Sequence, residues 1–286
     1  MRPLWVGPLT LETVTVPIRG LPSALEGCRV AQLSDFHYDG QRLAMPLLQE
    51  AIAQVNALQP DLIALTGDYI THSPSPMARL AEELRQLQSR CGVVAVLGNH
   101  DNHRSGNRSV VLRELGRVGI QALWNQVVYP LGSNFPVVGL AELWSRDFAP
   151  DKIFPSIPSE TPRLVLSHNP DSAVRLAPWR VDLQLSGHTH GGQIVVPGLG
   201  IVPAWMDRFR RGLATLLPLP PLKRRSAHTL QHWEWASGLH AVPQNQTGPS
   251  WLYVNRGLGT YAPGRWRCPP EVTLITLVKA PSQEHG

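Results

Sequence analysis

A chain of 286 residues is long enough for one large domain with a substantial core. Only 16% of it is charged, and 27 prolines with 24 glycines mark it as loop-rich, which excludes charge-driven disorder and a plain helical bundle. The net charge of +5 is concentrated, with Arg208, Arg210, Arg211, Lys223, Arg224 and Arg225 against Asp207 alone, so a generally basic, nucleic-acid-coating surface is not expected.

Residues 13–18 alternate as a strand does, and residues 30–34 form a short β run that ends in Asp35-Phe36-His37. Residues 45–58 have helical periodicity, 61–65 read as a buried strand, and Thr66-Gly67-Asp68 follow it directly. The pattern recurs with a helix over 77–90, a strand over 93–97 and then Gly98-Asn99-His100-Asp101. A helix over 109–118 precedes strand-like runs at 126–129 and 136–140. Residues 164–166 lead into Ser167-His168, and 182–185 into Ser186-Gly187-His188-Thr189-His190. Strands at 251–254 and 272–278 close the chain. The sum is an α/β alternation around a mixed, two-layered β core with helices outside, which collects polar clusters at the carboxyl ends of five strands.

Cys28, Cys91 and Cys268 form no CxxC pair, so neither a disulfide framework nor a thiolate zinc site is expected, and a reducing compartment is. No apolar run reaches the roughly 18–20 residues of a membrane span, and the first twenty residues lack the plan of a secretory signal. The expected location is cytoplasmic.

The strand ends carry Asp35, His37, Asp68, Asn99, His100, His168, His188 and His190. Carboxylates, imidazoles and an amide suit manganese, iron, zinc or magnesium better than a soft ion. One four- to six-coordinate ion would leave some of these ligands idle or no place for water, so two ions are implied, with Asp68 the candidate to bridge them. Taken singly each group is ordinary: a His after a strand packs or hydrogen-bonds, and Gly-Asp is common turn chemistry. Their joint occurrence in order, with two imidazoles set among glycines at 187–192, is what packing does not explain.

Ser34-Asp35-Phe36-His37, Gly67-Asp68, Gly98-Asn99-His100-Asp101, Ser167-His168 and Gly187-His188-Thr189-His190 together resemble the calcineurin-like metallophosphoesterases. A further likeness at Val254-Asn255-Arg256-Gly257-Leu258-Gly259 and Cys268-Pro269-Pro270-Glu271 is to the bacterial branch holding small phosphodiesterases and a UDP-2,3-diacylglucosamine pyrophosphatase. The resemblance implies a four-layer αββα sandwich, a first metal on Asp35, His37, Asp68 and His190, and a second on Asp68, Asn99, His168 and His188. It implies that His100 lies beside the leaving-group oxygen and that Asp101 orients or charge-stabilises His100. Two divalent ions, manganese first among the alternatives, would then bind phosphoryl oxygens and lower the pKa of a bridging water for in-line attack by the resulting hydroxide. The implied activity is that of a phosphodiesterase or pyrophosphatase on a small or lipid-linked phosphoester.

The sequence departs from many relatives at Gly139-Leu140-Ala141-Glu142-Leu143-Trp144, where an acidic pair is usual, so a substrate-side contact is expected to differ. Asp39 reads as a turn former with a loop-exposed carboxylate. A basic amphiphilic insertion at about 203–235, with Trp205, Met206 and Phe209 among its arginines, suits an anionic membrane surface or an amphiphilic substrate and implies peripheral attachment to the inner membrane face. A phosphoprotein phosphatase and a non-catalytic, metal-bound membrane adaptor are the alternative functions.

Overall fold

The computed structural model describes residues 2–206, 230–242 and 250–281. Two six-stranded sheets dominate it. The first has the order β1 (Thr10–Ile18), β14 (Glu271–Lys279), β2 (Cys28–Leu33), β3 (Leu62–Leu65), β4 (Val93–Ala95) and β5 (Gln121–Ala122). The second has the order β12 (Gly238–Val242), β13 (Ser250–Val254), β9 (Leu183–Ser186), β8 (Leu164–Leu166), β7 (Val137–Gly139) and β6 (Gln126–Val128). A small antiparallel ribbon joins β10 (Val195–Val196) to β11 (Gly200–Ile201).

Strands β2 to β5 run parallel, as do β7, β8, β9 and β13, so in each sheet the carboxyl ends of neighbouring strands open onto one edge. Strand β14 pairs parallel with β1 and antiparallel with β2, and in the second sheet β12 and β6 pair antiparallel with β13 and β7, so both sheets are mixed. The pairing across β2 and β3 continues past the strands, where Asp35 N–H donates to the Gly67 carbonyl and His37 N–H to the Asp68 carbonyl, each at 2.9 Å. That extension sets two of the polar loops side by side.

Alternation along the strands divides the core. In β2, Val30 joins Val16, Ile18, Leu62, Val94, Ile275 and Leu277 in packing against Val137, Leu164, Leu166, Leu183 and Leu185 of the second sheet. Ala31 and Leu33, on the opposite face, pack under α1 (Met45–Ala57), α2 (Met77–Leu84) and α4 (Asn107–Arg117). The outer face of the second sheet is covered more thinly, by Phe154, Ile157 and Leu176, the last from α5 (Ser172–Leu176). The result is the αββα sandwich the sequence implied.

Helix α1 starts with Pro46 in its first turn and buries Leu48, Ala51, Ile52 and Val55 on one stripe. Helix α2 ends earlier than the expected 90. Its periodicity persists to Leu87, but Arg90 N–H donates to the Pro60 carbonyl and Cys91 N–H to Asp61, so residues 90–91 bond to the entry of β3 instead. The one-turn helix α3 (Asn99–Asn102), β5, α5, the β10–β11 ribbon and β12 were not legible as elements. The basic residues Arg208, Arg210, Arg211, Lys223, Arg224 and Arg225 lie outside the described residues.

Candidate metal centre

Five loops converge where the carboxyl edges of the two sheets meet. The loops after β2, β3 and β4 bring Asp35, His37, Asp68, Asn99 and His100 from the first sheet, and those after β8 and β9 bring His168, His188 and His190 from the second. His37 Nε2 lies 3.0 Å from His190 Nε2 and 3.4 Å from Asp68 Oδ2, and His190 Nε2 is 3.4 Å from Asp35 Oδ1. On the other side His168 Nε2 is 3.2 Å from Asp68 Oδ2, 3.2 Å from Asn99 Oδ1 and 3.3 Å from His188 Nδ1. Asp68 Oδ2 therefore stands between two donor sets.

The far ring nitrogens decide which atoms carry protons. His190 Nδ1 is 3.1 Å from the Gly259 carbonyl and His168 Nδ1 is 2.7 Å from the Thr66 carbonyl. A carbonyl only accepts, so both Nδ1 atoms donate, and in the neutral rings both Nε2 atoms present lone pairs to carboxylate oxygens and other nitrogens. Buried lone pairs aimed at one another repel unless a cation or a proton lies between them. Asp35, His37 and His190 form one cluster able to hold an ion, Asp68, His168 and His188 a second, and His37, Asp68 and His100 a third that overlaps both. The donor set is all nitrogen and oxygen and fits divalent metal ions.

Protons show the same tension. Burial opposes the charge on His168, yet Asp68 beside it raises its pKa to about 10, whereas burial pushes His190 down to about 4. Burial likewise opposes ionisation of Asp68, and His168 and His100 still hold that carboxyl well below the usual range. Backbone geometry adds strain. Among the described residues nine non-glycine positions have positive φ, and Asp35, His37, Asp68, His188 and His190 are five of them, which is far from a random sprinkling over turns. Close approach also fixes a glycine at 187, because a Cβ there would collide with the Ser34 hydroxyl and the Asp35 carboxylate.

His100 and Asp101 separate in role. His100 Nδ1 lies 2.7 Å from the Thr71 carbonyl and its backbone N–H donates to Asp68 Oδ1 at 2.9 Å. The Asp101 carboxylate is fully buried and accepts the N–H groups of Asp68, Tyr69, Ile70 and Gly98. Burial and the nearby Asp68 push its pKa up to about 7. The structure thus corrects the expected Asp101–His100 pairing: Thr71 orients the ring, and Asp101 holds the loop that carries Asp68.

Tyr261 and Arg265 escaped sequence reasoning, and the contacts of Glu142 and Asp39 were not legible in it. The Tyr261 hydroxyl is 3.1 Å from His37 Nδ1 and 3.4 Å from His100 Nε2, and burial pushes its pKa well up, so it keeps its proton. Buried Arg265 gathers the carbonyls of Arg256, Gly257 and Gly259, the last of which also faces His190. Leu258 and Gly259 in turn donate to the carbonyls of Ser34 and Asp35, so the tail segment clamps the first loop. Glu142 is buried, burial raises its pKa, and among the described residues its Oε1 has no hydrogen-bond partner. Asp39 accepts from the N–H groups of Gln41 and Arg42, from the Arg42 guanidinium and from the Thr71 hydroxyl, so it is a turn former that also ties two loops together.

Comparison with known proteins bears on this geometry. Residues 28–192 match the family model for the calcineurin-like phosphoesterase. The chain is 32% identical to the phosphodiesterase YaeI of Escherichia coli K12, over 87% of this chain and 82% of that protein. It is 27% identical to the UDP-2,3-diacylglucosamine pyrophosphatase LpxG of Chlamydia muridarum, over 90% and 85% respectively. Among solved structures the NAD nucleotidase NadN of Haemophilus influenzae aligns with a TM-score of 0.50 at 12% identity, over 83% of this chain and 48% of that one, which is a likeness of fold.

Proposed function

This chain belongs to the calcineurin-like phosphoesterase family and is a hydrolase of phosphoric esters, and from that premise we propose that it uses two divalent ions to cleave a phosphodiester or pyrophosphate bond. The observation that carries the reading is the convergence of buried nitrogen and oxygen ligand atoms on either side of Asp68 Oδ2. Asp35, His37, Asp68 and His190 would hold one ion and Asp68, Asn99, His168 and His188 the other, with manganese the leading choice. When bound, the pair supplies Lewis-acid chemistry, drawing charge from phosphoryl oxygens and acidifying water.

The protein's own groups do the remainder. Carbonyl contacts hold His168 and His190 in the Nδ1–H tautomer, so each presents Nε2 to the centre. His100 is held the same way by Thr71, which leaves its Nε2 as the position that, once protonated, would hand a proton to the departing oxygen. Asp101 keeps the Asp68 loop in register through its four N–H contacts. A substrate linked to lipid is favoured by the likeness to LpxG and by the exposed Leu199, Trp205, Met206 and Trp266, which suit an amphiphilic ligand near an anionic membrane face. No helix among the described residues is long and apolar enough to cross a membrane.

Metal-stripped protein reloaded with manganese is expected to hydrolyse bis(p-nitrophenyl) phosphate faster than p-nitrophenyl phosphate or a phosphopeptide. A UDP-linked acylated sugar tests the lipid-linked case. On a diester with an alkyl leaving group, which needs protonation to depart, His100→Ala should keep both ions and lose about 10²–10⁴-fold in kcat. Phosphopeptide cleavage without diester cleavage would favour the phosphatase alternative, and full metal loading without any turnover the non-catalytic adaptor.

A further inference from the structure

Tyr261 lies at the end of the tail segment, 224 residues from His37 in sequence and 161 from His100, yet its hydroxyl is within hydrogen-bond reach of both rings. Its position is fixed by two further contacts. Its backbone N–H donates to Gln193 Oε1 at 2.7 Å, which pins it to the turn just past His190. Its ring lies 4.6 Å beneath the Arg42 guanidinium, and Arg42 is paired with Asp39. Asp39 also accepts the hydroxyl of Thr71, whose carbonyl orients His100. A continuous set of contacts thus runs from the aromatic ring round to the far nitrogen of His100.

The donors and acceptors on this path are complementary. Thr71 requires the hydrogen on His100 Nδ1, so in the neutral ring Nε2 accepts. His37 turns Nε2 toward Asp68 and His190 and leaves Nδ1 for Tyr261. One phenol can accept from His37 Nδ1–H and donate to His100 Nε2 while that ring is neutral, and its oxygen, with two lone pairs, can accept from both rings when Nε2 is protonated. We propose that Tyr261 is a positioning residue whose hydroxyl bridges His37 and His100, holding the first in the orientation that binds an ion and the second in the orientation that serves the leaving group. The role rests on the reading of the site given above.

Tyr261→Phe tests it, because the variant keeps the ring beneath Arg42 and removes only the hydroxyl. Calorimetric titration of metal-free protein with manganese should show affinity at the tighter site reduced by roughly tenfold, the low end of what losing a partner to a ligating imidazole costs. With manganese saturating, kcat for a methyl p-nitrophenyl phosphate should change by no more than about threefold, because p-nitrophenolate leaves without protonation. For a diester with an alkyl leaving group it should fall by about 10–100-fold with KM unchanged. A purely structural role would depress both esters alike. A variant that equals the wild type in manganese affinity, or whose losses on the two esters are equal, overturns the proposal. Wild-type protein that binds manganese and cleaves neither ester overturns instead the phosphoesterase reading, and the titration then judges the hold of Tyr261 on His37 by itself.

Discussion

His168 shows most directly how single side chains are tuned here. Its Nδ1–H is committed to the Thr66 carbonyl, so any proton added goes onto Nε2, between Asp68 and Asn99. Asp68 overcomes the opposing burial and lifts the folded, metal-free pKa from 6.5 to about 10. At neutral pH an incoming ion must therefore displace that proton. Manganese affinity at this position should rise by about tenfold per pH unit between about pH 6 and about pH 9, one proton being released per ion. The same sign holds for stability without metal: the contribution of the His168–Asp68 pair is complete below pH 6.5 and is lost as pH climbs through about 10. Titrations in buffers of differing ionisation enthalpy check the release, and a pH-independent affinity would contradict it.

Among the elements, β14 carries the most weight relative to its legibility. It enters the first sheet between β1 and β2, pairs with them in opposite senses and places Ile275 and Leu277 in the layer between the sheets. Ile275 is fully buried. Ile275→Ala removes three methyl-sized groups from a packed interface and should lower unfolding free energy by about 2–5 kcal/mol, read from urea denaturation. A loss below about 1 kcal/mol would mean that the site can collapse and that the two sheets are not held by this packing. The ends of the short parallel strands matter for a different reason. Strands of three or four residues such as β3, β4 and β8 contribute little pairing of their own, but their carboxyl ends fix where Asp68, Asn99 and His168 emerge.

For the molecule as a whole, the centre is a seam. Asp35, His37, Asp68 and Asn99 come from one sheet and His168, His188 and His190 from the other, so ions held among them would cross-link the layers at the open edge. Binding only to the folded state stabilises it by about 2.7 kcal/mol at a hundredfold excess over Kd. A chain of this size should then melt about 5–10 °C higher with manganese than after chelation. A melting temperature indifferent to chelator would place the ions, if bound, outside the seam. The buried Nε2 atoms of His37 and His190, 3.0 Å apart without a counter-ion between them, give the physical reason to expect the shift.

Much of this was written in the order of residues alone. Asp35-Phe36-His37, Gly67-Asp68, Gly98-Asn99-His100-Asp101, Ser167-His168 and Gly187-His188-Thr189-His190 each follow a short apolar run, and a parallel strand delivers whatever follows it to the same edge as its neighbours. Period-2 and period-3.6 patterns likewise foretold β1, β2, β3 and α1, because burial of one face leaves a local signature. The ribbon β10–β11 and the two-residue β5 were illegible, since their pairing depends on partners rather than on pattern. The same limit hid Tyr261 and Arg265, left the burial of Glu142 unforeseen, and concealed that the Asp101 carboxylate bonds to the backbone of the Asp68 loop. Spacing along the chain reports which groups share a loop, but which nitrogen of a ring faces a carbonyl, and which phenol closes the gap between two imidazoles, follows from two sheets meeting at one edge and is decided only by their packing.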